Sequence, residues 1–263
     1  MPTPSHALAP RSVSKFRLPR FGLAGSRLGE LPGPDGDARA IATVDAAYQA
    51  GIRFFDASPA DGVSEQRLGT ALQRLPRGEF LVSTRANDRE SVLQSMERLG
   101  LAVDLVLLDD EAAYPALDEL RSGGVIKAIG VASRDWQVLD RIVRNLEVDT
   151  VLLAGQYSLL DQSAKPLLDR CLEHGVAVIV SDILTPQVLQ TSTAHARRIS
   201  AVCERYGVVL PQAALAFPHR HSAVASILIT AASPAEIRAD AALVRRPVPA
   251  NLWRDPELLE LVS

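Results

Sequence analysis

Charged and hydroxyl side chains recur just after short apolar runs along this chain: Asp56 and then Asp61, Arg85, Asp109 with Asp110 and Glu111, Ser133, Gln156 with Tyr157, Ser181 with Asp182, and Thr230. Two carboxylates in one cleft can divide acid and base roles, or recruit a cation such as Arg85 as counter-ion. Asp109, Asp110 and Glu111, joined by Asp56 or Asp182, are donors of the kind hard cations prefer. An acidic run after a strand more often stays solvated or caps the next helix, so no metal site is assigned. Cys171 and Cys203 form neither a disulfide framework nor a four-ligand zinc set, and their helix-like surroundings predict packed, reduced thiols. No P-loop, HExxH or GxGxxG occurs; Gly22, Gly25 and Gly29 have the wrong spacing for a dinucleotide fingerprint and are read as turns at the start of the fold.

The elements that must position these groups alternate regularly. Nearly continuous apolar runs, the mark of strands buried on both faces, occupy 20–23, 53–56, 80–84, 105–108, 128–131, 150–153, 177–180 and 226–229. Helical patterns cover 37–50, 63–75, 88–99, 113–123, 135–145, 162–174, 192–206 and 233–244. Asp88 and Ser233 are placed to cap helix starts, and Gly51, Gly100, Gly123, Gly175 and Gly207 to end helices. Eight strand–helix units in roughly 250 residues predict an α/β fold, a single-domain (β/α)8 TIM barrel, with a doubly wound open sheet as the competitor. Residues 1–15 read as a flexible arm. Residues 16–263 read as the barrel, with a packed tail after Ala241 in which Trp253 is an anchor. A barrel of this kind carries its chemistry at the C-terminal ends of the strands, where the residues above fall.

Composition narrows the partners. The chain is 47% apolar and 22% charged, too apolar for disorder, and 28 basic against 31 acidic residues leave no basic excess for nucleic acid. No run approaches the roughly 20 apolar residues of a membrane span, and no apolar block near the start suggests a signal peptide. The expectation is a cytoplasmic protein with a small-molecule ligand, a protein partner as the further possibility, and neither nucleic acid nor membrane.

The segment Gly51-Ile-Arg-Phe-Phe-Asp56-Ala-Ser-Pro-Ala-Asp61-Gly-Val-Ser-Glu-Gln-Arg-Leu-Gly69-Thr-Ala-Leu72 resembles a signature of the aldo-keto reductases. Further matches follow in order: Gly124-Val-Ile-Lys-Ala-Ile-Gly130-Val131, Leu153-Ala-Gly-Gln156-Tyr157-Ser-Leu-Leu-Asp161-Gln162, and Ala232-Ser-Pro-Ala-Glu-Ile-Arg238. They span about residues 16–245 and look closest to the sugar-dehydrogenase-like branch. The resemblance implies a (β/α)8 barrel and hydride transfer between a nicotinamide cofactor and a carbonyl or alcohol. It also implies a tyrosine proton donor tuned by a lysine and an aspartate, with a histidine orienting substrate.

Carried over by position, the aspartate is kept as Asp56. The tyrosine position holds Asp61, the lysine position Arg85 and the histidine position Asp109. None of Lys15, Lys127 and Lys165, nor of His6, His174, His195, His219 and His221, falls at a strand's C-terminal end, so a shift in register does not restore the set. Arginine stays charged and does not share a proton as lysine does. The resemblance assigns cofactor contacts to Ser133, Gln156, Ser181, Ser233 and Arg238. Ala232 and Asp240 replace groups that would favour a 2′-phosphate, and Pro186 and Gln187 crowd the pyrophosphate loop. NAD is therefore expected over NADP, with binding weak or lost. Three readings follow: a catalytically inactive or altered member binding a ligand or partner at its mouth; a non-redox acid–base enzyme using Asp61 and Asp109; or an NAD(P)-dependent oxidoreductase of a sugar or aldehyde using Tyr114 or Tyr157. If the mouth is retired, Asp56, Asp61 and Arg85 are expected to fill it as a salt-bridge network.

Overall fold

Eight strands, β1 (Phe21–Ala24), β2 (Phe54–Asp56), β3 (Leu81–Arg85), β4 (Leu105–Leu108), β5 (Ala128–Ser133), β6 (Thr150–Ala154), β7 (Ala177–Ser181) and β8 (Val224–Thr230), pair in parallel with their sequence neighbours, and β8 closes on β1. The expected (β/α)8 barrel is present and the open sheet is excluded. The computed structural model describes residues 16–262, apart from Pro34 and the side chain of Gln187; the arm predicted over 1–15, with His6 and Lys15, lies outside the described residues.

Successive strand side chains point to opposite faces. In β2, Phe54 joins an inner cluster with Leu105, Leu107, Leu152, Ile179 and Leu228, while Phe55 joins the outer cluster beneath the helices. The same parity decides the site. Two residues beyond Phe54, Leu107, Ile179 and Leu228 stand Asp56, Asp109, Ser181 and Thr230, so the alternation that fills the barrel with hydrocarbon aims these polar groups into its C-terminal mouth. Leu18, fully buried, belongs to the inner cluster as well, with Phe16 packed against it.

The outer layer comprises α1 (Asp35–Gln49), α2 (Ser64–Leu72), α3 (Arg89–Leu99), α4 (Tyr114–Ser122), α5 (Trp136–Asn145), α6 (Lys165–His174), α7 (Ala194–Arg205), α8 (Leu210–Ala216) and α9 (Pro234–Arg245), with α10 (Pro256–Leu261) in the tail. Asp88 caps α3 in a reciprocal capping box with Ser91, and Ser233 caps α9. One helix stop differs from expectation: Gly123 keeps a right-handed conformation, and Gly124, at φ 72°, makes the left-handed turn. Two of these ten helices, α8 and α10, escaped the sequence pattern. Leu210, Gln212, Ala213, Ala214 and Leu215 of α8 are all buried, so this helix has no polar face to give it a period. The tail begins after α9, later than Ala241, and buries Leu252 and Leu258, with Trp253 against Phe217 as the expected anchor.

Candidate functional site

A cavity of about 490 Å³ opens at the C-terminal ends of the strands. Asp56, Asp61, Arg85, Asp109, Ser133 and Ser181 all line it, so six of the nine residues singled out from the sequence share one site. Ser26, Ser58, Arg134, Asp182 and Thr230 complete its polar wall. Of these, Ser26, Ser58 and Arg134 were not foreseen; the signal for Arg134 was its place directly after Ser133 at the end of β5.

Asp56 is 6% exposed, and the Ser83 hydroxyl donates to its Oδ1 at 2.5 Å. Burial pushes its carboxyl up to about 6 against the lowering effects of that hydrogen bond and of Arg85, with Asp61 adding to the rise. The Asp61 carboxyl is also raised, chiefly by burial, opposed by Arg85 and aided by Glu30. The expected salt-bridge network does not form. Among the described residues no carboxylate lies within ion-pair distance of Arg85, whose Nε is buried without a hydrogen-bond partner. The reason is geometric: Arg85 ends β3, whereas Asp61 rides on the β2–α2 loop, and that loop is tied elsewhere.

Those ties run within the loop, to the turn Ser26–Gly29 and to α1. The Asp61 N–H donates to the Ser58 carbonyl at 3.0 Å, and the Arg67 guanidinium reaches the Leu28 carbonyl at 2.6 Å and Asp37 at 2.7 Å. Gly29 packs so closely under the loop that a Cβ there would stand 1.8 Å from the Asp61 carbonyl oxygen. On the opposite rim, Arg134 and Asp182 pair at 2.7 Å, and Asp182 adopts φ 57°, a conformation that few non-glycine residues take. The neighbouring acidic run divides its duties. Asp109 faces the cavity, and Asp110 caps the following turn by accepting from the Ala112 N–H at 3.0 Å. No three His, Cys, Asp or Glu side chains converge as metal ligands among the described residues.

Gln156, Ser233 and Arg238 do not reach this cavity. The Gln156 side-chain oxygen accepts from the Trp136 N–H at 2.8 Å, tying the β6 loop to the start of α5. Ser233 accepts from the Glu236 N–H at 3.3 Å, while the Glu236 carboxylate takes the Ala232 N–H and pairs with Arg27. Arg238 is exposed on α9. Asp240 is pushed up to about 6, first by burial and then by Glu236, with Arg27 opposing. A second cavity of about 340 Å³ adjoins the mouth and shares Arg134, Asp182, Leu228 and Thr230 with it; Leu184, Thr185 and Pro186 form its outer wall.

Among the described residues, no tyrosine, lysine or histidine lines the mouth cavity. Tyr114 turns its hydroxyl to the Glu147 carbonyl at 2.9 Å. Tyr157 is buried against Phe217 and His221, and burial pushes its phenol up to about 12. Lys127 pairs with buried Asp104, whose other oxygen also accepts from the Val82 N–H at the entry to β3; Lys165 pairs with Asp169 on α6. His219 lies against the Arg20 and Val224 carbonyls and His221 against Asp169. Both cysteines are buried, and burial raises Cys171 to about 12 and Cys203 to about 11, which suits packed thiols.

The pattern of the aldo/keto reductase family matches residues 21–254. The chain belongs to this family. Among its relatives is D-threo-aldose 1-dehydrogenase of a Pseudomonas species, 31% identical across 93% of this chain and 94% of that protein. Another is the NADH-specific methylglyoxal reductase of Escherichia coli (strain K12), 27% identical across 89% of this chain and 92% of that protein. The holo form of an aldo-keto reductase from Bacillus halodurans shares the fold with a TM-score of 0.78 at 21% identity, covering 97% of each chain. The match to the aldose dehydrogenase runs over 311 positions, more than the 263 residues present here, so that relative carries segments this family member lacks.

Proposed function

We propose that this chain is a ligand-binding member of the aldo-keto reductase family that does not carry out phenol-assisted hydride transfer. Its mouth takes a small, uncharged, hydroxyl-rich molecule. The observation that carries the reading is the lining of the mouth: among the described residues, four aspartates, two arginines and several hydroxyls, with no phenol, ammonium or imidazole. Reduction of a carbonyl needs a proton donor at the developing alkoxide, and a phenol does this only when an adjacent cation brings its pKa toward the working pH. Tyr157 moves the other way, and the Arg85 guanidinium shuttles no proton. Asp61, Arg85 and Asp109, by contrast, lack ion-pair partners among the described residues, and such groups are free to accept from and donate to hydroxyls. Carboxylates outnumber guanidinium groups on the wall, which disfavours an anionic ligand.

The residues expected to hold a nicotinamide cofactor do not fit it well. Gln156 and Ser233 spend their side chains on helix caps, and the Glu236 carboxylate already takes the Ala232 N–H and Arg27 where a phosphate would need them. Half-buried Asp240 adds a second acid there, so NAD(H) is better accommodated than NADP(H), and both weakly. Calorimetric titration tests this directly. A neutral aldohexose such as D-galactose should bind with a dissociation constant of roughly 1 mM or tighter, weakened about tenfold by Asp61→Asn, while NADH stays weaker than about 1 mM. Micromolar NADH or NADPH binding, with no heat from any neutral sugar, would overturn the proposal.

A further inference from the structure

Away from the barrel mouth, where α6, the turn Pro218–Arg220 and the tail meet, lies a groove of about 500 Å³. Its wall is a run of rings. Tyr157 and Phe217 have centroids 5.6 Å apart, Phe217 and Trp253 6.1 Å, and the Arg220 guanidinium sits 5.0 Å from the Trp253 centroid. Leu259, half exposed, forms an apolar lip.

Two polar groups of this wall are unused. Tyr157 is 5% exposed, yet its hydroxyl makes no hydrogen bond with any described residue. Arg220 is exposed and has no carboxylate partner among the described residues; its guanidinium lies over the Trp253 ring. On α6, Asp169 is already engaged by Lys165 at 2.7 Å and His221 at 3.0 Å. Gln162 adds an amide to the same wall. A phenol donor at the groove, an unpaired guanidinium and a run of aromatic rings describe a ligand with a flat apolar body and a planar anion at one end.

We propose that this groove is a second binding site, separate from the mouth, for a small aromatic carboxylate whose ring packs along Phe217 and Trp253 and whose anion takes Arg220 and the Tyr157 hydroxyl. An aromatic body is favoured over an alkyl chain because rings gain offset or edge-on stacking beyond area burial, and three rings are presented together. A carboxylate is favoured over a neutral polar head because guanidinium binds it through two parallel hydrogen bonds.

Calorimetry of the full chain with 2-naphthoate, and with 2-naphthalenemethanol as its uncharged counterpart, tests the site. The acid should bind at least about tenfold more tightly than the alcohol, since charge-assisted hydrogen bonds exceed neutral ones by that order. Arg220→Gln should remove about the same tenfold, and Tyr157→Phe, which keeps the ring, about two- to fivefold. Asp61→Asn at the mouth should leave naphthoate binding unchanged, which separates this site from the one under Proposed function. Thermal unfolding of each variant confirms that it is folded; Arg220 is on the surface and remains a valid test if Tyr157→Phe unfolds. Equal affinity for acid and alcohol, no effect of Arg220→Gln, loss of binding in Asp61→Asn, or no heat with naphthoate would each overturn the proposal.

Discussion

Asp56→Asn should make the folded protein more stable by about 3 kcal/mol at about pH 7.5, an unusual outcome for a substitution in a barrel mouth. The folded carboxyl lies near 6 against an ordinary value of 3.8, because burial disfavours the charged form more than Ser83 and Arg85 favour it. A carboxyl raised in the folded state binds its proton more tightly there. Its stabilising contribution is therefore complete below about pH 4 and is lost as the pH climbs through about 6, above which the ionised, buried group opposes folding. Asparagine has the same shape, stays neutral and still accepts from Ser83. Urea unfolding from about pH 4 to pH 8 should show the variant gaining on the parent only as the pH rises. A gap independent of pH, or a variant less stable at about pH 7.5, would contradict this electrostatic account of Asp56. That the chain retains a destabilising acid at this point is what a ligand-contacting group would look like.

Gly29→Ala should act in the opposite direction, lowering stability by about 3 kcal/mol or more. The new methyl would meet the Asp61 carbonyl oxygen at 1.8 Å, and that atom is main chain, fixed by Ser58 and by the Arg67 clamp on Leu28, so neither side can yield cheaply. The strain would fall on the loop that carries Asp61. Stability should drop together with sugar binding, and the melting temperature should fall by roughly 6–12 °C for a chain of this size. Gly78→Ala is the control, with nothing within 4 Å of the added carbon, and should change stability by no more than about 0.5 kcal/mol. A Gly29→Ala protein as stable as the parent would show that the two loops are not packed as described.

Strand positions were legible because strands buried on both faces leave a plain apolar signature, and parity then carried the site. Once Phe54 faces inward, Asp56 must do so too, and Leu107 fixes Asp109 in the same way. What the sequence could not show was how side chains are spent. Gln156 and Ser233 matched positions of the family's cofactor groove, but which hydrogen bond each makes depends on the N–H groups of Trp136 and Glu236. The salt bridges expected for Arg85 followed from its sharing the family's catalytic positions with Asp56 and Asp61, whereas the separation of Arg85 and Asp61 depends on the path of the loop past Gly29. Helix α8 was missed because burial on all sides erases periodicity, whereas Arg134 stands two residues beyond inward-facing Ala132, and the same parity could have found it.

The claim that joins these observations is that a familiar barrel has kept its mouth and given up its proton donor. Steady-state assay of the purified chain with NADH and NADPH against a panel of aldehydes, and with the oxidised cofactors against aldoses, tests it most directly, read as loss or gain of reduced-nicotinamide absorbance. The account predicts no rate above the protein-free control for any pair. Turnover near about 1 per second, ordinary for an enzyme, and abolished by substitution of a mouth residue such as Asp61, would contradict it.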